Sequence, residues 1–167
     1  MAKISGSHLI AKSIQREGID TLFGLVAGPI IDIMVAGLHY GVRPIDVRHE
    51  QAAAYAATGW AYVKNNVGVC TMGAGPGVTN AVTGAHVAWD NCIPIVLLGG
   101  GEALNQRGNG VFQETHLEMF RKVTKSAILA ESTARIPEIM ASAFRTARTG
   151  RPGPVYIDLP SDVINGS

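Results

Sequence analysis

The sequence has few of the features that mark several large classes of protein. It contains two cysteines, Cys70 and Cys92, which lie in apolar runs without CxxC spacing and therefore indicate reduced core thiols rather than a zinc site. Only 16% of the residues are charged, and the net charge is +1. The basic residues form no cluster, which argues against a nucleic-acid partner and against a polybasic membrane surface.

Long apolar runs are also absent. No segment approaches the length of about 20 residues that a membrane-spanning helix needs. The start of the chain, "MAKISGSHLI", lacks the apolar stretch of a signal peptide, so we expect a cytoplasmic protein. The histidines show no HxxxH spacing and the serines no GxSxG elbow, so we expect neither a metal site nor a nucleophilic serine.

The sequence does contain a regular alternation of short apolar runs and helical segments. With 167 residues, of which 47% are hydrophobic, it has the size and composition of a single domain spanning 1–167. Strands that alternate with helices predict an α/β fold, a doubly wound, mainly parallel six-stranded sheet with helices on both faces. The six predicted strands lie in "DTLFGLV", "RPIDVR", "VGVCTM", "IPIVLLG", "TKSAILA" and "GPVYIDL".

Polar or glycine-rich segments follow the first four predicted strands. They are "VAGP" after the first strand, Glu50 after the second, "GAGPG" after the third, and the irregular segment 99–115 after the fourth. Ligands of parallel α/β sheets bind beyond the carboxyl ends of the strands. The sequence therefore predicts a binding site at this edge.

Glu50 stands at the head of a helix that is otherwise almost entirely apolar. A carboxylate there loses much of its water, which is costly unless a partner or a proton compensates. Two interpretations remain open at this point: a negative charge that stabilises the helix N-terminus by roughly 0.3–1 kcal/mol, or a catalytic carboxyl group.

The segment "GAGPGVTN", residues 73–80, also allows two interpretations. No Gly-Lys-Ser/Thr follows, so it is not a Walker A loop, and Pro76 removes an amide that an anion would use. It is either a plain strand-to-helix turn or a rigid backbone surface against which a flat ring can lie.

Six motifs occur in a fixed order: "RHEQAA", "GAGPGVTNAVTG", "NCIPIVLLGG", "VFQE", "VTK" and "GRPGPVYIDLPSDV". Together they closely resemble the N-terminal, pyrimidine-binding domain of thiamine-diphosphate enzymes of the acetolactate synthase superfamily. The resemblance spans about residues 4 to 164. Pro29 and the "NCIP" segment are similar to 2-hydroxyacyl-CoA lyases and oxalyl-CoA decarboxylases, whereas Gln113 fits a lyase or synthase better than a decarboxylase of that kind.

The resemblance implies roles for individual residues. Glu50 would hydrogen-bond N1′ of the cofactor's aminopyrimidine ring and so activate the cofactor. Gln113 would face the thiazolium side and the substrate carbonyl, which makes Glu50 and Gln113 the two catalytic candidates. The residues implied to bind the cofactor are Val26, Pro29, Glu50, Gly73, Pro76 and Asn80.

The resemblance also implies that this chain carries half of a site. In the family, a second domain that begins with Gly-Asp-Gly holds the diphosphate and its Mg²⁺, and no such tripeptide occurs here. We therefore expect the partner to be the diphosphate-binding domain of a second subunit, in a homodimer or tetramer. FAD or ADP would belong to a middle domain that these residues do not include.

The expected reaction is cleavage or formation of the C–C bond next to a carbonyl, on a small 2-keto or 2-hydroxyacyl substrate, with a chain that is inactive alone. The first hypothesis is a lyase of the 2-hydroxyacyl-CoA type. The alternatives are an acetolactate synthase-type carboligase or 2-keto acid decarboxylase domain, and a non-catalytic domain that only assembles with a partner.

Overall fold

The six apolar runs form the six strands of the computed structural model, which describes residues 4–109 and 116–167. The strands are β1 (Thr21–Gly24), β2 (Arg43–Asp46), β3 (Gly68–Met72), β4 (Ile95–Gly101), β5 (Ser126–Leu129) and β6 (Val155–Pro160). The helices are α1 (Gly6–Arg16), α2 (Ile31–His39), α3 (Glu50–Lys64), α4 (Pro76–Asn80), α5 (Val82–Asp90), α6 (His116–Phe120), α7 (Ile136–Arg148) and α8 (Ser161–Asn165).

The strands form one sheet in the order β2-β1-β3-β4-β6-β5, and every neighbouring pair is parallel. The predicted doubly wound sheet is thus confirmed, and it is parallel throughout rather than mainly parallel. β1 pairs with β2 on one side and with β3 on the other. The chain passes from β1 to β2 on one side and from β3 to β4 on the other, so the loops after β1 and β3 lead in opposite directions. A crevice opens between two such loops, and α/β sheets bind their ligands in it.

Each face of the sheet is covered by helices, as predicted. Alternate residues of β4 belong to different cores: Val96 packs with α1 and α7, whereas Leu97 packs with α3, α5 and α6. β4 is buried along its whole length, which explains its unbroken apolar sequence. Cys70 lies in the same core as Leu97, where burial raises the pKa of its thiol to about 12.

The pattern of "VTNAVTGAHVAWD", residues 78–90, predicts one helix after the "GAGPG" loop, but the structure has two helices there and the first begins within that loop. Pro76 already begins α4, because its fixed φ and missing amide suit the first position of a helix. Gly75 precedes it with a φ of 66°, in the left-handed region that glycine tolerates. At Ala81 α4 ends, and α5 begins one residue later.

The sequence indicated that Cys92 lies in the core, and this prediction is wrong. It has a left-handed φ of 56° in the turn between α5 and β4, where it is only partly buried. Arg151 donates a hydrogen bond from Nε to its Sγ at 3.0 Å. The buried part of that apolar run begins at Ile95. Among the described residues, no helix has both the length and the apolar character that crossing a membrane requires.

Helices α3 and α5 pack closely because both carry small residues at their contact. A Cβ added at Gly84 of α5 would lie 2.4 Å from the Cβ of Ala54 in α3. The two helices can therefore approach to this distance only with glycine at position 84. This contact sets the position of α3, whose first residue is Glu50.

We predict that Gly84→Ala lowers the free energy of unfolding by about 1–3 kcal/mol, because the added methyl group forces α3 and α5 apart. Denaturant unfolding of the 167-residue chain measures this change. Gly59→Ala is the matched control, since a Cβ there meets no atom within 4 Å. It should raise the free energy of unfolding by up to about 1 kcal/mol, the helix preference for alanine over glycine. Equal effects of the two substitutions would contradict this account of the helix contact.

Candidate functional site

The loops that follow the first four strands meet at the carboxyl edge of the sheet. Ala27, after β1, lies against Gly73, after β3: a Cβ on Gly73 would be 2.9 Å from the Cβ of Ala27. Pro29 lies close to Gly100 near the end of β4, where an added Cβ would be 3.1 Å from the proline Cγ. The predicted convergence at this edge is thus present in the structure.

Glu50 is the first residue of α3, and it is 6% exposed. The cap of the helix is His49, whose Nδ1 accepts a hydrogen bond from the backbone amide of Gln51 at 3.2 Å. The Glu50 carboxyl group is therefore not the side-chain cap, although its charge still lies in the favourable field of the helix N-terminus. This arrangement leaves the carboxyl group available for another partner.

That partner within the described residues is Asn80, which donates a hydrogen bond from Nδ2 to Glu50 Oε2 at 3.0 Å. The other oxygen lies over the backbone of α4. A Cβ added at Gly77 would be 2.6 Å from Oε1, and one at Gly73 would be 3.8 Å from it. The buried carboxyl group thus fills the space that glycine leaves free at position 77 and is in ordinary van der Waals contact with position 73.

The structure brings some of the predicted site residues together and leaves others apart. Glu50, Gly73 and Asn80 form one cluster, and Pro29 lies in the neighbouring loop. Val26 is 53% exposed, and its backbone amide donates to Asp46 Oδ1 at 3.2 Å. Pro76 is an exposed residue at the start of α4. Gln113 lies outside the described residues.

Sequence reasoning missed Gly77 as a site residue. Its contact with Glu50 depends on how α4 folds back over α3, and no periodicity in the sequence reports that distance. The only available sign was the third glycine of "GAGPG", which a plain turn explains equally well.

His116 is a second residue that sequence reasoning did not assign to the site. It begins α6, is 2% exposed, and its Nδ1 has no hydrogen-bond partner among the described residues. Burial lowers the pKa of this imidazole below its ordinary value of 6.5, and the Arg107 guanidinium lowers it further. A hydrogen bond with the backbone of Gly75 acts in the opposite direction. A buried imidazole in its neutral form thus lies beside the loop that adjoins Glu50.

The loop after β4 is held to the sheet by a partly buried ion pair. Arg107 donates from a guanidinium nitrogen to Oδ2 of Asp158, a β6 residue that is 1% exposed, at 3.2 Å. Over 4–109 and 116–167, His, Cys, Asp and Glu side chains form no group of three that could hold a metal ion. Beside the glycine-rich segment, the described residues place the buried carboxyl group of Glu50, whereas the buried carboxyl group of Asp158 is paired with Arg107.

Comparison with known proteins places this arrangement in a family. A profile described as "Thiamine pyrophosphate enzyme, N-terminal TPP binding domain" matches residues 4–121. The acetolactate synthase isozyme 3 large subunit of Escherichia coli K12 is 40% identical over 168 residues, which covers 99% of this chain and 29% of that protein. Human 2-hydroxyacyl-CoA lyase 1 is 36% identical over 164 residues, which covers 98% of this chain and 28% of the lyase.

A probable acetolactate synthase large subunit of Methanococcus aeolicus is 42% identical over 161 residues, or 96% of this chain and 27% of the relative. The chain thus spans less than a third of the length of the curated relatives described here. Synthases and a lyase occur together among them, as the sequence motifs indicated.

We predict that the chain loses stability as the pH falls below about 6.5, in part because of His116. The unfolded chain takes up a proton at the ordinary histidine pKa, whereas the folded chain does so only at a lower pH. Between the two values the unfolded state binds more protons, so the free energy of unfolding falls with falling pH by at most about 1.4 kcal/mol per pH unit for this one group.

Denaturant unfolding of the parent chain and of His116→Gln between pH 7.5 and about 5 measures the contribution of this imidazole. Between these two pH values the free energy of unfolding should change less in His116→Gln than in the parent chain, because glutamine does not titrate. An unchanged slope in the variant would contradict the prediction.

Proposed function

The chain belongs to the family of thiamine pyrophosphate enzyme N-terminal domains, and we propose that it is the pyrimidine-binding half of an enzyme that cleaves or forms the C–C bond next to a carbonyl group. The observation that carries this proposal is the buried carboxyl group of Glu50, held by Asn80 at the carboxyl edge of the sheet. A buried carboxyl group with one oxygen engaged is suited to share a proton with a weakly basic ring nitrogen.

The residues present fit a flat aromatic ring. The carboxyl group of Glu50 fills the place of a Cβ at Gly77, and Ala27 fills that of a Cβ at Gly73. We propose that a ring lies against the remaining backbone of this segment and reaches the carboxyl group from there. Gly75 and Pro76 give this surface a fixed backbone conformation. The "GAGPG" segment therefore supports the second of its two interpretations, a surface for a flat ring.

When bound, thiamine diphosphate supplies the nucleophilic carbon that adds to the substrate carbonyl. The part of this chain is to bind and orient the pyrimidine and to give or take a proton at a carboxyl oxygen of Glu50. Gln113 is proposed to contact the substrate side of the cofactor, on the sequence motif alone.

Within the family, we propose a lyase of the 2-hydroxyacyl-CoA type, with an acetolactate synthase-type carboligase as the alternative. Pro29 and the "NCIP" segment support the lyase. The synthase relatives reported above are 40% and 42% identical to this chain, against 36% for the human lyase, and they support the alternative. A small 2-keto or 2-hydroxyacyl compound is the proposed substrate in either case.

The remainder of the site is proposed to come from a diphosphate-binding domain with Mg²⁺, carried by a second subunit. The exposed face of α3 supports this partner: it carries Tyr55, Tyr62 and Val63, of which the last two are 78% and 79% exposed, and its one exposed charge is that of Lys64 at the end of the helix. An exposed apolar patch on the helix that begins with Glu50 is typical of an interface. FAD or ADP binding would belong to residues outside this chain.

Calorimetric titration of thiamine diphosphate with Mg²⁺ tests the proposed half-site. We expect no binding to the 167-residue chain alone, and binding when a diphosphate-binding domain of this family is supplied. Tight binding to the chain alone that Glu50→Ala abolishes would contradict the shared site. Absence of binding even with the second domain would contradict the proposed cofactor.

Sedimentation of a concentration series tests the proposed interface. We expect the chain to associate with itself or with the diphosphate-binding domain, and Val63→Asp in α3 to weaken the association at least tenfold, because a charge would be buried without a partner. Val35→Asp in α2 is the matched control, since Val35 is also an exposed helical valine, 60% exposed. Equal effects of the two substitutions, or a strictly monomeric parent chain in both experiments, would contradict the proposed surface.

A further inference from the structure

We propose that Asn80 is a positioning residue that gives the two oxygens of Glu50 different tasks: Oε2 is held by the amide, and Oε1 alone exchanges a proton with the ligand. This inference rests on the proposed function and deepens it. It differs from the role that the sequence motif implied for Asn80, which was direct contact with the cofactor.

The hydrogen bond between the two side chains is the first observation. Asn80 Nδ2 donates to Glu50 Oε2 at 3.0 Å, from the last residue of a short helix to the first residue of α3. An amide N–H group only donates, so no carboxyl proton can lie in this contact. The same hydrogen bond persists whether Glu50 is ionised or carries a proton on Oε1. Asn80 can therefore hold the carboxyl group without opposing proton transfer at the other oxygen.

The position of Oε1 is the second observation. It lies where a Cβ at Gly77 would be 2.6 Å away, and that Cβ would also be 3.3 Å from the carboxyl carbon. A glutamate side chain has several rotatable bonds, and the hydrogen bond from Asn80 fixes only one end of the carboxyl group. Gly77 provides the space that the rest of the group needs. Together the two residues place Oε1 over the glycine-lined backbone that the pyrimidine is proposed to contact.

The contact itself is tested on the 167-residue chain, without any cofactor. Nuclear magnetic resonance of the side-chain amides should show the Asn80 NH₂ protons at a position that changes strongly in Glu50→Ala. The NH₂ protons of Asn91, which donates to the Val87 carbonyl at 2.8 Å near the other end of α5, should not change. An Asn80 signal that Glu50→Ala leaves in place would overturn the proposal.

The function of the contact is tested in the complete cofactor-bound enzyme by the rate at which the cofactor's C2 proton exchanges with solvent. Asn80→Leu should slow this exchange at least about tenfold at every pH, the effect expected from losing a hydrogen bond to a charged group. Asn91→Leu is the control, because it also removes one amide hydrogen bond but at the opposite edge of the sheet. A parent-like rate in Asn80→Leu would overturn the proposal.

Asn80→Asp supplies a signature that a merely structural role would not give. The introduced carboxyl group donates to Oε2 only when it carries a proton, so the exchange rate of this variant should recover towards that of the parent as the pH falls. Asn80→Leu should show no such recovery. Identical pH profiles for the two variants would overturn the proposed hydrogen-bonding role.

Gly77→Ala displaces the same carboxyl group from the other side. The atom that an added methyl group meets first is the end of a flexible side chain, so the chain should fold and unfold thermally within a few degrees of the parent. Its exchange rate should fall as in Asn80→Leu, and a parent-like rate would count against a fixed Oε1. If the parent enzyme bound no cofactor, the proposed function would fail. If the parent enzyme and Asn80→Leu both bound the cofactor and exchanged its C2 proton at the same rate, only this inference would fail.

Discussion

The desolvation of one carboxyl group, that of Glu50, is the constraint on which the arrangement of this edge of the sheet depends. Burying a charge is costly unless a hydrogen-bond partner compensates for the lost water. The fold supplies the hydrogen bond from Asn80, the favourable end of the α3 dipole, and close contact with backbone that carries no side chains. The dipole belongs to α3, which follows β2, whereas Asn80 and the glycines belong to the segment that follows β3, so the carboxyl group links the ends of β2 and β3.

The parallel sheet makes this linkage available. β1 lies between β2 and β3, and the helices that follow β2 and β3 pack on each other on one face. Small residues at that contact, with Gly84 against Ala54, bring α3 and α5 close together. The head of α3 and the short helix α4 are therefore held within hydrogen-bonding distance by packing that is remote from the site itself. Geometry at the site is set by the core, which is the usual way in which a rigid scaffold positions polar loops.

The sequence was informative where the physics is local. Strand and helix types followed from periodicity, and the unbroken apolar sequence of "IPIVLLG" agrees with the interior position of β4 in the parallel sheet. The carboxyl-edge location of Glu50 and of the glycine-rich segment followed from the topology of parallel sheets. The burial of Glu50 followed from the apolar sequence after it. The six ordered motifs identified the family, which the comparisons confirmed.

What the sequence could not provide were the features that depend on contacts between segments. The break at Ala81 and the exposure of Cys92 are invisible to periodicity, because both positions lie in stretches of small or apolar residues. Gly77 resembles a turn residue until the distance to Glu50 is known. His116 has no spacing partner in the sequence, and only tertiary packing places its ring against Gly75.

The different tasks proposed for the two Glu50 oxygens also depend on a contact between segments, the hydrogen bond from Asn80. In the proposed arrangement, the amide of Asn80 holds Oε2, and Oε1 is left to exchange the proton. An amide donor achieves this without adding a second titratable group, whereas a lysine or arginine would neutralise the carboxylate and oppose its protonation. In the proposed half-site, this contact would orient the carboxyl group before the proposed partner binds, so less conformational freedom would be lost on assembly. The short α4 between Gly75 and Ala81 is therefore best understood as the element that carries both Gly77 and Asn80 to a single carboxyl group.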